Sequence, residues 1–102
     1  MIENARITST FLGREDHGIP TCSVTLDYGG VAQSFGGYDL RYYGIEFITK
    51  LLDTLEVGEW SALVGQVVRA DHTRASVDRI GHIIKDQWFN PSELKGKKED
   101  DK

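Results

Sequence analysis

Eight side chains in this sequence have the chemistry to hold a small phosphorylated, ring-bearing ligand: Tyr38, Arg41, Arg69, Arg74, Lys85, Trp88, Phe89 and Asn90. Guanidinium and ammonium groups make charge-assisted hydrogen bonds to phosphate oxygens. Aromatic rings stack on bases and on cations, and an amide reads a base edge. On that basis Arg41, Arg69, Arg74 and Lys85 are the phosphate candidates, Tyr38, Trp88 and Phe89 the stacking candidates, and Asn90 the edge reader. Arg79 and Trp60 belong to the same polar and aromatic group. Each residue also has a plainer role: Arg41 as a surface arginine beginning a helix, Trp88-Phe89 as core or as an interface between copies.

Catalytic equipment is thin by comparison. Ser34 sits in Ala32-Gln33-Ser34-Phe35-Gly36, with alanine where a nucleophile elbow needs glycine. His17, His72 and His82 never fall at a paired metal-ligand spacing, so no zinc site is expected. His17 and His72 each follow an aspartate in an expected loop, and His82 lies on an expected strand as a structural residue. Cys22, the single cysteine, has no basic neighbour to activate it and reads as a small buried side chain. No enzyme activity and no cofactor are expected.

The elements that must position these groups follow from periodicity. Residues 2–12 alternate, with Ala5, Ile7, Ser9 and Phe11 on one side and Arg6, Thr8, Thr10 and Leu12 on the other, and read as a strand ending at Gly13. A polar loop leads to a second strand over 19–28, with Cys22, Val24, Leu26 and Tyr28 inward. Gly29-Gly30 turns the chain into a third strand, Val31 to Phe35. Gly36-Gly37 then leads into one helix over about 41–56, capped by Asp39, with Ile45, Ile48, Leu52 and Leu55 as its apolar stripe, widened by Leu51. That helix N-terminus is a weak anion site, to which Arg41 adds charge. Strands are expected over 66–71 and 76–84, and Asn90-Pro91-Ser92-Glu93 begins a short C-terminal helix. The fold expectation is α+β: an antiparallel sheet of about five strands with one main helix packed on a face.

Length allows one domain, expected over 1–94, followed by a charged, disordered tail over 95–102. The net charge of −4 and pI near 5.3 exclude a broad basic footprint for nucleic-acid polymers. A few local arginines still suffice for a small anion. No apolar run reaches the length of a membrane span, and Met1-Ile2-Glu3-Asn4 does not begin a signal peptide.

Four segments together carry a resemblance: IENARITSTFLG, LDYGG followed by QSFGGYDL, GIEFITKLL, and IGHIIKDQWFNP. Spanning about residues 2–91, they resemble the Thoeris anti-defence sponges, small proteins of bacteriophage and prophage genomes. The resemblance implies a non-enzymatic homo-oligomer, a dimer or larger, in the cytoplasm of the bacterial host. Such a sponge sequesters a cyclic ADP-ribose isomer made by TIR-domain proteins, and some members also look able to take cyclic oligonucleotides. The site residues above are read from their own chemistry and not from the family. The alternative is a protein-binding inhibitor or structural phage module with no small-molecule ligand.

Overall fold

Two residues at opposite ends of the sheet show how the chain folds. In the computed structural model, which describes residues 1–95, six antiparallel strands form one sheet: β1 (Ile2–Arg14), β2 (Pro20–Tyr28), β3 (Val31–Asp39), β4 (Val67–His72), β5 (Val77–Gly81) and β6 (Trp88–Phe89). Their spatial order is β3-β2-β1-β4-β5-β6, which makes β3 and β6 the two edges. A flat sheet would hold those edges about 24 Å apart at ~4.8 Å per strand. Phe35 on β3 nevertheless packs edge-on against Phe89 on β6, with ring centroids 5.9 Å apart. On the same curled side, the Gln33 amide nitrogen on β3 donates to the Arg74 carbonyl between β4 and β5 at 3.0 Å. The sheet is therefore strongly coiled.

The helix fills the hollow of that coil. It opens with one wide turn over Leu40–Gly44 and continues as α1 (Ile45–Leu55). Asp39 caps it as expected, its carboxylate accepting from the Arg41 backbone nitrogen at 2.9 Å. The buried stripe is Phe47, Leu51 and Leu55, spaced one turn apart, whereas Ile45 is 79% exposed. The expected stripe is thus rotated: Phe47 takes the place assigned to Ile45. Phe47 lies 5.8 Å from Phe35 and 5.5 Å from Phe89, completing a three-ring contact among β3, α1 and β6.

Gly36-Gly37 does not form a connection into the helix. Both residues lie within β3, where Cys22 pairs with Tyr38 and Ser23 with Gly36, leaving Gly37 as the extra residue of a bulge. Gly36 has φ +118, and a Cβ there would stand 2.9 Å from both the Cys22 carbonyl oxygen and the Phe47 ring. Glycine is what lets Phe47 sit down on the strand. The expected third strand consequently continues to Asp39.

A second bulge corrects β1. Ile7 pairs with Leu26 but Ser9 pairs with Thr25, so Thr8 is the additional residue and the alternation changes phase. Ala5 and Ile7 face the helix; Thr10 and Leu12 do so beyond the bulge, while Phe11 turns to the opposite, open face. The expected fifth strand stops at Gly81. His82 ends it because its ring nitrogen Nδ1 accepts from the backbone nitrogens of Ile84 at 3.1 Å and Lys85 at 3.0 Å, folding 82–87 into a turn. The chain returns as β6, the strand beyond the expected five. The expected C-terminal helix is a three-residue 3-10 turn, Pro91–Glu93. Apart from Lys95, the expected tail lies outside the described residues.

Substituting Gly36 tests how far this packing depends on close approach. Gly36→Ala should lose about 3–5 kcal/mol in chemical denaturation, combining a strained backbone with overlap against Phe47. Gly37→Ala, at φ +85 with open space around the new methyl, should lose only the backbone part, about 1–3 kcal/mol.

Candidate functional site

The strongest grouping of the expected ligand residues lies on the face of the sheet away from α1. Cross-strand partners share a face, and the register places Arg69 opposite Gly81, Asp71 opposite Arg79, and Gly81 opposite Trp88. The Trp88 ring lies flat on β5 because residue 81 is glycine: a Cβ there would be 2.7 Å from the indole. The indole N–H donates to the Asp86 carboxylate at 3.1 Å, fixing the ring's rotation. Two guanidinium groups stand over this ring, Arg79 at 4.1 Å and Arg69 at 4.6 Å from the centroid. Both distances are well inside the range of cation–π attraction, about 6 Å.

Each arginine is held by bonds that use only part of its donor set. Arg69 donates from Nε to the His82 carbonyl and from Nη2 to the Lys85 carbonyl, both at 2.7 Å, so the turn shaped by the His82 ring orients it. Arg79 donates from Nε to the Asp71 carboxylate at 2.9 Å. Among the described residues, Nη1 of Arg69 and the two terminal nitrogens of Arg79 have no hydrogen-bond partner. Arg6 lies on the same face, one strand over and opposite Val67, and donates to the Gly65 carbonyl at 3.0 Å. A local basic strip of Arg6, Arg69 and Arg79 thus crosses an acidic protein. Asp27, the cross-strand partner of Arg6, and Asp71 are acidic residues of this face, and the Arg79 guanidinium bonded to Asp71 holds its carboxyl below the usual aspartate range.

The other expected residues are dispersed. Lys85 is bonded to both oxygens of Glu56 at the end of α1, at 3.0 and 2.8 Å. Arg41 pairs with Asp39 through two side-chain bonds of 3.0 and 2.7 Å, so a carboxylate already occupies the helix N-terminus expected to attract an anion. Tyr38 packs on Phe47 and Tyr43 along the helix, with centroids 5.7 and 5.6 Å away. Burial, helped by Tyr43, raises its hydroxyl above the usual tyrosine value. Phe89, expected to stack on a ligand, is 1% exposed and belongs to the core. Asn90, expected to read a base edge, caps the following turn instead, its side-chain oxygen accepting from the Ser92 nitrogen at 2.9 Å. Arg74 lies apart from the Trp88 group, in the turn between β4 and β5.

Arg79 was not among the phosphate candidates, yet it approaches Trp88 more closely than Arg69 does. Its two-residue offset from Gly81 on one strand was the signal that would have placed it beside the ring. Cys22 is buried, and desolvation pushes its thiol up to about 11, leaving it protonated and unreactive at neutral pH. Among the described residues no three His, Cys, Asp or Glu side chains are grouped as a metal ligand set. No helix among them is long and apolar enough to cross a membrane. No family model, curated protein or solved structure matches this chain.

The Glu56 tether joins the end of α1 to the β5–β6 turn that orients Arg69. Bonds from Lys85 and then from Gln87 hold the Glu56 carboxyl below its usual value of 4.5. A depressed folded value means that this stabilisation is complete above about pH 4.5 and is lost as pH falls through the folded value. Glu56→Gln should therefore be less stable than the native protein at pH 7, with the gap closing progressively below about pH 4.5. Denaturation curves across that range measure it; a gap that persists unchanged at pH 3 would contradict the tether.

Proposed function

We propose that this protein captures a small nucleotide-derived signal without transforming it. The observation that carries this reading is the Trp88 ring with Arg69 and Arg79 fixed over it and still holding unspent N–H donors. Pre-oriented guanidinium donors suit phosphate oxygens, and the indole with its arginines suits the plane of a base. The resemblance of the sequence to Thoeris anti-defence sponges directs the ligand to a cyclic ADP-ribose isomer, with cyclic oligonucleotides next in line. In this reading the protein is a phage anti-defence factor working in the cytoplasm of the host bacterium. Its platform is open, and a second copy laid against it encloses the ligand, which is why the reading includes a homo-oligomer.

Ile2, Phe11 and Val67 are exposed on the same face. They supply apolar surface for that second copy, and they also favour the other reading, a module that docks on a host protein.

Capture is tested by incubating the purified protein with a cyclic ADP-ribose isomer, removing free ligand, denaturing by heat and quantifying what is released. Intact ligand in near-stoichiometric amount is expected. Absence of retained ligand, with cyclic oligonucleotides also failing, would return the protein to the docking class, and an altered ligand would make it an enzyme. Trp88→Ala should weaken binding by about 5- to 150-fold, the value of one stacked base at ~1–3 kcal/mol. Arg41→Ala, remote from the platform, should bind normally.

A further inference from the structure

On the helix-bearing side of the sheet, away from Trp88, lies a cavity of about 420 Å³. It is drug-sized, within the ~300–1,000 Å³ common for small-molecule sites. Its walls include Glu3, Tyr28, Val31, Gln33, His72 and Arg74. Tyr28 on β2 and His72 on β4 stack face to face at 4.1 Å and 19°. Tyr28 is only 6% exposed, yet its hydroxyl has no hydrogen-bond partner. The side-chain oxygen of Gln33 and Nε2 of His72 are likewise buried without a partner. Buried polar atoms are nearly always hydrogen-bonded. All three belong to residues that line this one cavity, which gathers unsatisfied polar groups around it.

The polarity of those atoms indicates what they receive. Gln33 spends its amide nitrogen on the Arg74 carbonyl at 3.0 Å, which fixes the amide with its oxygen, an acceptor, left over. His72 directs Nδ1 at the Thr73 carbonyl, 3.4 Å away. Nε2 faces the Glu3 carboxylate at 3.7 Å, so both ring nitrogens look onto groups that only accept. The Glu3 carboxylate is the second acceptor on this wall after the Gln33 oxygen. The wall therefore seeks a ligand rich in N–H and O–H donors. The Tyr28–His72 pair and Val31 supply flat and apolar surface, and the Arg74 guanidinium, with no partner among the described residues, stands where an anionic end would lie.

We propose that this cavity is a second ligand site, taking an amino-substituted nucleobase against Gln33 and Glu3 and its phosphate against Arg74. A free amino acid would satisfy the charges but leaves much of the volume unfilled. The site stands apart from the Trp88 platform, because Tyr28, Gln33 and His72 face the helix side while Trp88 faces the other.

Calorimetric titration of the full chain with AMP is the test, with IMP, adenosine and inorganic phosphate as comparisons. AMP should bind once per chain. IMP, which presents an acceptor in place of the amine, should bind at least tenfold more weakly. Arg74→Ala should reduce AMP binding toward that of adenosine and leave adenosine unchanged. Tyr28→Phe keeps the ring and removes the orphan hydroxyl, so AMP affinity should fall while thermal stability holds or rises. Trp88→Ala should leave AMP titration unaltered even as it weakens capture at the platform, which separates a failure of this site from a failure of that reading. No AMP binding at millimolar concentration, equal affinity for IMP, or loss of AMP binding in Trp88→Ala but not in Arg74→Ala would each overturn the proposal.

Discussion

The contact of Phe35, Phe47 and Phe89 is what the rest of the architecture depends on. It joins a strand at one edge of the sheet, the helix, and a two-residue strand at the other edge, with centroid separations of 5.5–5.9 Å. Rings this large contribute more buried apolar area than any other side chains in a core of this size. Their meeting requires the sheet to coil and β3 to yield at Gly36. It also holds β6 in place, and β6 carries Trp88. The residue that completes the core and the residue that offers a ring to solvent are neighbours in the chain, pointing in opposite directions as strand geometry demands.

That alternation divides the protein into two chemically different sides. β4 shows it most compactly: Arg69 and Asp71 face outward with Arg79 and Trp88, while Ala70 and His72 face the helix. The outward side is cationic and aromatic. The inward side grades from the phenylalanine core to the polar cavity under Tyr28, where burial and the Glu3 carboxylate raise the tyrosine hydroxyl above its usual value. The cationic, aromatic surface and the polar cavity are thus back to back.

Periodicity made much of this legible. β2 kept its predicted phase because Cys22, Val24, Leu26 and Tyr28 alternate without interruption, and the helix span was plain from its repeating apolar residues. What escaped the sequence was non-local. The three-ring contact selected Phe47 over Ile45 as the inward residue of the first helical turn, a choice that depends on partners far away in the chain. β6 is too short to show any period. Gly36-Gly37 looked like a turn because glycine pairs are turn residues in isolation; only the approach of Phe47 explains a bulge instead. Basic side chains were legible as candidates, but which of them would be consumed by a local carboxylate, as Arg41 is by Asp39 and Lys85 by Glu56, depends on tertiary position. The cavity left one trace: Gln33 is a polar residue in the inward phase of Val31, Gln33 and Phe35.

The bulge at Thr8 gives β1 a property that substitutions do not reveal. Because one extra residue there reverses the phase of everything after it, β1 behaves as two strands joined end to end, each keeping its own alternation. Loss of that single residue would close the ladder into strict alternation and leave Ser9 to Gly13 on the sides they already have, with Phe11 outward and Thr10 and Leu12 toward the helix. The segment before Thr8 lines the cavity side through Glu3, while the segment after it pairs with the start of β2. The bulge is therefore where β1 absorbs one residue of chain, so that Ile7 and Thr10, three apart in sequence, both face the helix.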